Sequence, residues 1–521
     1  MRNPIIDHKG ALKPKGEQCF VNYMYVDAGM VAWTSAGKKA PQWGVPVSGI
    51  TGNPSGAYGI RLEAQKAELI GPVIEMKEPW EVNYNMYFTA AMYENGTYRA
   101  WYSCIPSDHM QQKDARYKMA SGQVLCYAES KDGLHWEKPG LGLQQFNGQE
   151  TNICFGRELS PYGFQSGSVF LDPNGSMQER YKMIYVGLKP VDDLEAAKEK
   201  YATIFGDALD PKGFTVIDEK PYVKGLYGAV SPDGIHWNCL EEPLIVQPSD
   251  TLNTCVWDEK RQAYIAYIRL RHGDRRVVGR MESKDFYCWK QAPEIVLKAP
   301  LDWSPCDDIY TNNRMDYPGS NVKLMFPNVY HRFTDSRNVY LASSVDDMIW
   351  EFVPGGPVVE AGSGEDWCAG DLNPGLGLIP LAGDKMAMPM LGYSRPHKYS
   401  RGGDQKLGQP GLAVWKKGRL AALAADERGA FQTPKILFDG NKLVLNFATT
   451  PSGSIEVELR NTKGEILEGY GFDDCNIMNG DQIACPVSWN DKTDLSELNG
   501  QELVMVFRMH SAKLFSFEFV K

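Results

Sequence analysis

At 521 residues the chain is long enough for two or three domains. Its net charge of −10, with a pI near 5.5 and no basic run, argues against a nucleic-acid surface. No run of about 20 apolar residues offers a membrane span. The 11% aromatic share, 51 glycines and 32 prolines suit many short strands joined by turns. The first twenty residues lack an apolar signal core, so the expectation is a cytoplasmic protein, or an exported one whose leader has been removed. Eleven cysteines without CxxC pairs show no zinc framework. Cys475 and Cys485 would be able to bridge in an oxidising compartment, with buried free thiols the equal alternative.

In chain order, residues 1–70 are a lead-in with one strand-like stretch, Phe20 to Val26, and a Gly/Pro/Ser-rich loop around 41–58. A regular pattern then begins. Met86 to Tyr93 is a strand, Glu94-Asn95-Gly96 a turn, and Tyr98 to Ser103 the return. The phrase Ser130-Lys131-Asp132-Gly133-Leu134-His135-Trp136 follows. It recurs as Ser231-Pro232-Asp233-Gly234-Ile235-His236-Trp237, and in eroded form at Ser283 to Trp289 and Ser344 to Trp350. Strand pairs precede each copy: Ser168–Phe170 with Tyr181–Tyr185, Thr254–Trp257 with Ala263–Ile268, and Val322–Phe326 with Val339–Ala342. A fifth unit, about 364–420, has lost the phrase.

Ser231 to Ser283 is 52 residues and Ser283 to Ser344 is 61, which suits four-stranded propeller blades. Ser130 to Ser231 is 101, because a helical segment, Asp192 to Phe205 closed by Gly206, lies in an insertion. Beyond about Gly429, Ile455 to Arg460 and Phe515 to Phe519 alternate apolar and polar residues, the mark of a half-buried antiparallel sheet. The fold expected is all-β: a lead-in over 1–70 that contributes a strand to the last domain, a five-bladed β-propeller over 71–425, and a β-sandwich over 426–521.

In such a ring the starts of the innermost strands converge at one end of the axis. Those starts carry Glu81 and Asn83, then Gln165, then Asp250 and Asn253, then Asp307 and Asp308, then Glu365 and Asp366. Converging acids repel, and a fold tolerates that mainly where charge works or binds a cation. Carboxylates with flanking aromatics point to glycoside cleavage, in which one acid protonates the leaving oxygen and another attacks or activates water. Trp80, Trp303, Tyr310 and Trp367 are candidate sugar platforms. Arg269, Arg271, Arg275, Arg276 and Arg280 crowd the third unit and would hold a carboxylate or phosphate. His331 and His397 are lone candidates. Calcium is a possible ion at the axis, and no other cofactor is required.

The phrases CYAESKDGLHWEKPGLG, ERYKMIY, AVSPDGIHW, SDTLN and GSIEVELRNTKGEILEGY resemble the glycoside hydrolase family 32 and family 43 superfamily, nearest to a bacterial family-32-like group. The resemblance spans nearly the whole chain. It implies a five-bladed propeller with a terminal sandwich and three acids on inner strands. The family-32 phrases Trp-Met-Asn-Asp-Pro, Arg-Asp-Pro and Glu-Cys are absent. The order Asp, Asp, Glu occurs at Asp250, Asp308 and Glu365.

The reading is therefore a glycosidase acting on a terminal or furanoside-type bond of an oligosaccharide or glycoside. Asp250 is the expected nucleophile or base, Glu365 the general acid, Asp308 the stabiliser, and Glu81 a fourth acid in the pocket. Trp80, Asn83, Asn253, Asp307, Tyr310, Asp366, Trp367, Arg280 and His331 are the expected substrate-binding residues. The alternatives are a non-catalytic carbohydrate-binding propeller, whose acids would be tied up with arginines, and a sialidase-like enzyme. The latter needs an arginine cluster facing the axis and a tyrosine nucleophile.

Overall fold

The computed structural model describes residues 10–26, 57–82, 87–118, 122–362, 367–398 and 408–521. The chain is nearly all-β, with few helices and several antiparallel sheets. The first sheet is Tyr87–Glu94, Thr97–Cys104 and Val124–Ser130, flanked by Trp136–Glu137 and Ile153–Phe155. Its first turn has Asn95 at φ 50° and Gly96 at φ 78°, which the Asn-Gly pair supplies without strain. The second sheet pairs Gln165–Leu171, Tyr181–Pro190 and Lys220–Ser231. The insertion within it holds the expected helix, Leu194–Phe205, capped by the Asp193 carboxylate on the Glu195 and Ala196 N–H groups.

Thr254–Asp258, Ala263–His272, Arg275–Ser283 and Glu294–Leu297 form the third sheet. The fourth unit is broken across its middle. Asp307–Thr311, Asn328–His331 and Ser336–Val339 make one half, and Arg314–Asp316, Lys323–Met325, Ala342–Ser344 and Glu351–Phe352 the other. The single strand expected over Val339–Ala342 is interrupted there. The fifth sheet is Asp371–Pro374, Lys385–Tyr393 and Gln409–Lys416, completed by Glu68–Ile70 from the N-terminal side.

Each unit packs on the next through its inner strands, and the fifth returns to the first, where Ala90 bridges Leu376. Buried amides and hydroxyls join the units along this seam. Thr254 Oγ1 donates to Asn312 Oδ1 (2.7 Å), and Asn313 Nδ2 donates to the Pro374 carbonyl (2.7 Å).

The repeated phrase forms one turn in all four copies. The Asp carboxylate accepts two successive backbone N–H groups: Leu134 and His135 at Asp132, Ile235 and His236 at Asp233, Tyr287 and Cys288 at Asp285, Met348 and Ile349 at Asp346. Each turn then docks on the preceding sheet. Trp101 Nε1 donates to the Gly234 carbonyl (2.7 Å), the Tyr287 hydroxyl to Glu179 (2.6 Å), and Arg261 Nη2 to the Asp346 carbonyl (2.8 Å). Gly133 lies against Leu381 of the fifth sheet. The phrase is thus a staple between neighbouring sheets.

The last segment is one seven-stranded antiparallel sheet. Its longest strands, Lys442–Asn461 and Glu502–Val520, pair along most of their length and shift register at Asn446/Phe447 and Thr449/Ser454. Arg61–Ala64 joins it beside Ala421–Gln432, and the 425/426 boundary expected from the sequence falls inside the latter strand. The expected N-terminal strand is shorter and earlier than Phe20–Val26: Gln18–Cys19 pairs with Phe517 and Ser516. Cys475 and Cys485 form no bridge, and the buried Cys475 thiol accepts the Val457 N–H.

Candidate functional site

The starts of the third, fourth and fifth units meet around Tyr310. Asp308 and Tyr310 both reach Arg276 from strand Asp307–Thr311, whose pairing shifts register between Ile309 and Thr311. The register places Asp308 opposite Tyr330, and Tyr330 opposite Arg337. In the third sheet the hairpin at Gly273 brings Arg269 and Arg276 to the same end. Three guanidiniums consequently surround the Tyr310 ring, with Cζ to centroid distances of 5.6 Å (Arg269), 5.4 Å (Arg276) and 4.6 Å (Arg337). His397 meets the same ring edge-on at 5.0 Å.

Each guanidinium has a carboxylate. Arg337 and Asp371 are a fully buried bidentate pair, and Arg337 Nη1 also donates to Asn373 Oδ1 (2.5 Å). Burial pushes the Asp371 carboxyl up, but the Arg337 charge and His397 outweigh it and hold the group below the ordinary range. Asp308 has no exposed surface. It accepts from Arg276 Nη1 (2.6 Å), Arg332 Nε (2.6 Å), Arg332 Nη2 (2.8 Å) and the Arg276 N–H (2.8 Å). Those bonds outweigh its burial and lower its pKa too. Asp250 differs: it pairs with Arg269, yet its side chain stays 57% exposed.

The other expected site residues divide. Asp307 lies on the opposite face of its strand and accepts from His331 Nδ1 (2.9 Å), so these two form a pair beside the cluster. Asn253 is buried and spent on the Ser249 hydroxyl, the Arg269 N–H and the Thr251 carbonyl, so it shapes the Asp250 loop. Glu81 is buried away from this cluster, where Lys138, the Tyr102 hydroxyl and the Lys77 and Glu78 N–H groups fill its oxygens. Trp80 is core, 5% exposed, with its indole N–H on Asn152. The Trp367 indole is wedged against Gly71, Gly392 and Gly411, where added Cβ atoms would lie 2.3–2.9 Å from it. Arg280 is buried on Glu282. Trp303 packs at a tilt against Tyr340 and Phe352, with ring centroids 4.6 and 4.9 Å away. Asn83, Glu365 and Asp366 lie outside the described residues.

Sequence reasoning did not single out Arg332, Arg337 or Asp371. Arg337 had one signal, a charged residue in an alternating strand beside the apolar Val339. Among the described residues no group of three or more His, Cys, Asp or Glu stands close enough to hold a metal, and no helix is long and apolar enough to cross a membrane.

No protein-family model matches the sequence, and no curated protein matches it. Solved structures do. An N-acetylgalactosamine deacetylase from F. plautii, in complex with blood group B trisaccharide, is 13% identical, with 69% of this chain and 96% of that one covered and a TM-score of 0.42. A glycosyl hydrolase from Bacteroides ovatus is 14% identical, over 68% and 94%, with a TM-score of 0.42. The Bombyx mori family-32 β-fructofuranosidase is 10% identical, over 83% and 90%, with a TM-score of 0.38.

Proposed function

We propose that the chain is a glycoside hydrolase that cleaves a terminal or furanoside-type bond at the Tyr310 end of the ring. On this reading the five units are blades of one propeller, and the bent terminal sheet folds over as a sandwich. The observation that carries the proposal is the contrast among the acids. Asp308 and Asp371 are buried and saturated by arginine, whereas Asp250 stands exposed beside Arg269 at the same end. Asp250 then serves as nucleophile or base. Arg269 pairs with it from one side and leaves it open to an incoming sugar. Asp308 is better read as a positioning residue that fixes Arg276 and Arg332, since no oxygen of it reaches solvent. Glu365 keeps the general-acid role, which requires a carboxyl facing Asp250 across the glycosidic oxygen.

One observation favours a second reading, a non-catalytic sugar-binding ring. Asp308 and Asp371 are tied up with arginines, as that alternative requires. The guanidiniums around Tyr310 are what a sialidase-like site would need, but Arg337 is consumed by Asp371 and Asn373. A screen of plant and microbial oligosaccharides separates the readings. Release of a monosaccharide supports hydrolysis, while saturable binding with no product over days supports the binding ring.

A further inference from the structure

The loop that leads into the fourth unit is pinned along its length. The Trp303 N–H donates to the Pro300 carbonyl (3.2 Å) and the Asp307 N–H to the Ser304 carbonyl (3.0 Å). From the third unit Arg275 Nη2 donates to the Asp307 carbonyl (2.9 Å), and the Arg332 N–H reaches the Cys306 carbonyl (3.2 Å). The fixed loop holds the Trp303 indole against Tyr340 and Phe352, and the Tyr340 ring in turn meets His331 with centroids 6.5 Å apart. The three aromatic side chains are half-buried against the core that contains Leu297 and Ala299, and His331 is half-buried beside them.

The polar edges of this corner are unspent. Indoles that serve the scaffold, such as Trp80, Trp289 and Trp415, give their N–H to a protein acceptor. Among the described residues Trp303 Nε1 and the Tyr340 hydroxyl meet no hydrogen-bond partner, and neither is sealed from solvent. Asp307 spends Oδ1 on His331 Nδ1 (2.9 Å), and no described residue donates to its Oδ2. Two ring faces, two open donors and one open carboxylate oxygen therefore stand together. Tryptophan and tyrosine with the ring dry and the polar tip wet are characteristic of binding surfaces. A sugar ring matches such a corner, because its C–H face lies on an aromatic ring while its hydroxyls exchange hydrogen bonds at the edge. A loop already fixed in place loses little further freedom on binding.

We infer that this corner holds a sugar residue of the substrate other than the one released at Asp250, so the substrate is an oligosaccharide chain rather than a simple glycoside. This deepens the hydrolase reading and rests on it for where the chain is cut. Asp307 and Asp308 are neighbours, about 3.8 Å apart at Cα, so the corner and the Tyr310 cluster lie on one rim of the ring, on either side of a single strand start.

The test is calorimetric binding to the full chain of malto-, cello-, xylo-, manno- and fructo-oligosaccharides, each from one to four sugar residues. In at least one series the tetrasaccharide is expected to bind about fivefold or more tightly than the monosaccharide. Trp303→Ala should cut that ratio to below about twofold. Tyr340→Phe keeps the ring and its packing but loses the hydroxyl, and should cut the ratio by about half. Absence of any gain with chain length overturns the inference, and so does a ratio unchanged in a Trp303→Ala protein that folds. If Trp303→Ala does not fold, Tyr340→Phe decides alone, and an unchanged ratio there overturns it. Length-dependent binding through Trp303 with no cleavage of any series sinks the hydrolase reading and leaves this inference standing. Cleavage with the same KM in wild type and Trp303→Ala does the reverse.

Discussion

Arg337→Met removes one partner of a buried ion pair at the centre of the cluster. Arg337 and Asp371 are each 1% exposed or less at the side chain, so solvent screens neither charge. The variant leaves Asp371 with the Leu372 N–H (2.9 Å) and His397 (3.5 Å). Breaking a buried pair from one side costs about 3–5 kcal/mol, because the remaining charge is uncompensated. Unfolding entropy near 2 cal/mol/K per residue over 521 residues is roughly 1 kcal/mol per kelvin, so Tm should fall by about 3–5 °C. The pH dependence adds a sign. In the native pair the Asp371 carboxyl is held low, so its stabilisation is complete above about pH 4 and is lost only as pH falls through the folded value. In Arg337→Met the burial that raises the Asp371 carboxyl is opposed only by His397 and the Leu372 N–H, so the carboxyl moves up past its ordinary range. Stability of the variant should then fall as pH rises from about 5 to 7, while the wild type stays flat in this group's contribution. Scanning calorimetry at several pH values reads both effects. A Tm within 1 °C of wild type, or a variant that gains stability as pH rises through that window, would refute the reasoning.

Three further outcomes are expected. Gly234→Ala forces a Cβ to within 2.6 Å of the Trp101 ring at φ +76°, so the docked turn should lose about 1–3 kcal/mol while activity per folded molecule stays intact; a loss of activity at unchanged Tm would contradict the scaffold role of the repeated phrase. Glu81→Gln should lower stability by about 1–3 kcal/mol, since Lys138 keeps its charge without its partner. The same variant should leave turnover within twofold, and an inactive but fully stable protein would return Glu81 to the chemistry. Asp308→Asn frees Arg276 and Arg332 together, so it should raise KM more than it lowers kcat, whereas a pure kcat effect would make Asp308 catalytic.

The repeat was legible because its cause is local. An Asp that binds the N–H groups two and three residues on, and a Trp four residues on, are encoded within seven positions. That ruler placed the strand starts, and with them Asp250, Asp308 and Tyr310. The aromatics were harder. Trp80 and Trp367 sit at strand starts as a sugar platform would, but what decides their role is distant in sequence: Asn152 for one, and glycines 71, 392 and 411 for the other. The arginine pairs hid for the same reason, since Arg337 and Asp371 lie on different sheets. A crowd of arginines in the third unit reads as solvated surface until the hairpin turn at Gly273 points two of them at Tyr310. The long terminal strands were visible as alternation, but bulges that bend a sheet leave no periodic mark.

The most direct test of the account is Asp250→Asn, assayed on whichever glycoside the screen shows to be cleaved. The account predicts that kcat/KM falls at least about a thousandfold, as expected for loss of a nucleophile or base, with Tm and equilibrium binding of the same sugar little changed. Cleavage at wild-type rate by a folded Asp250→Asn protein would contradict it.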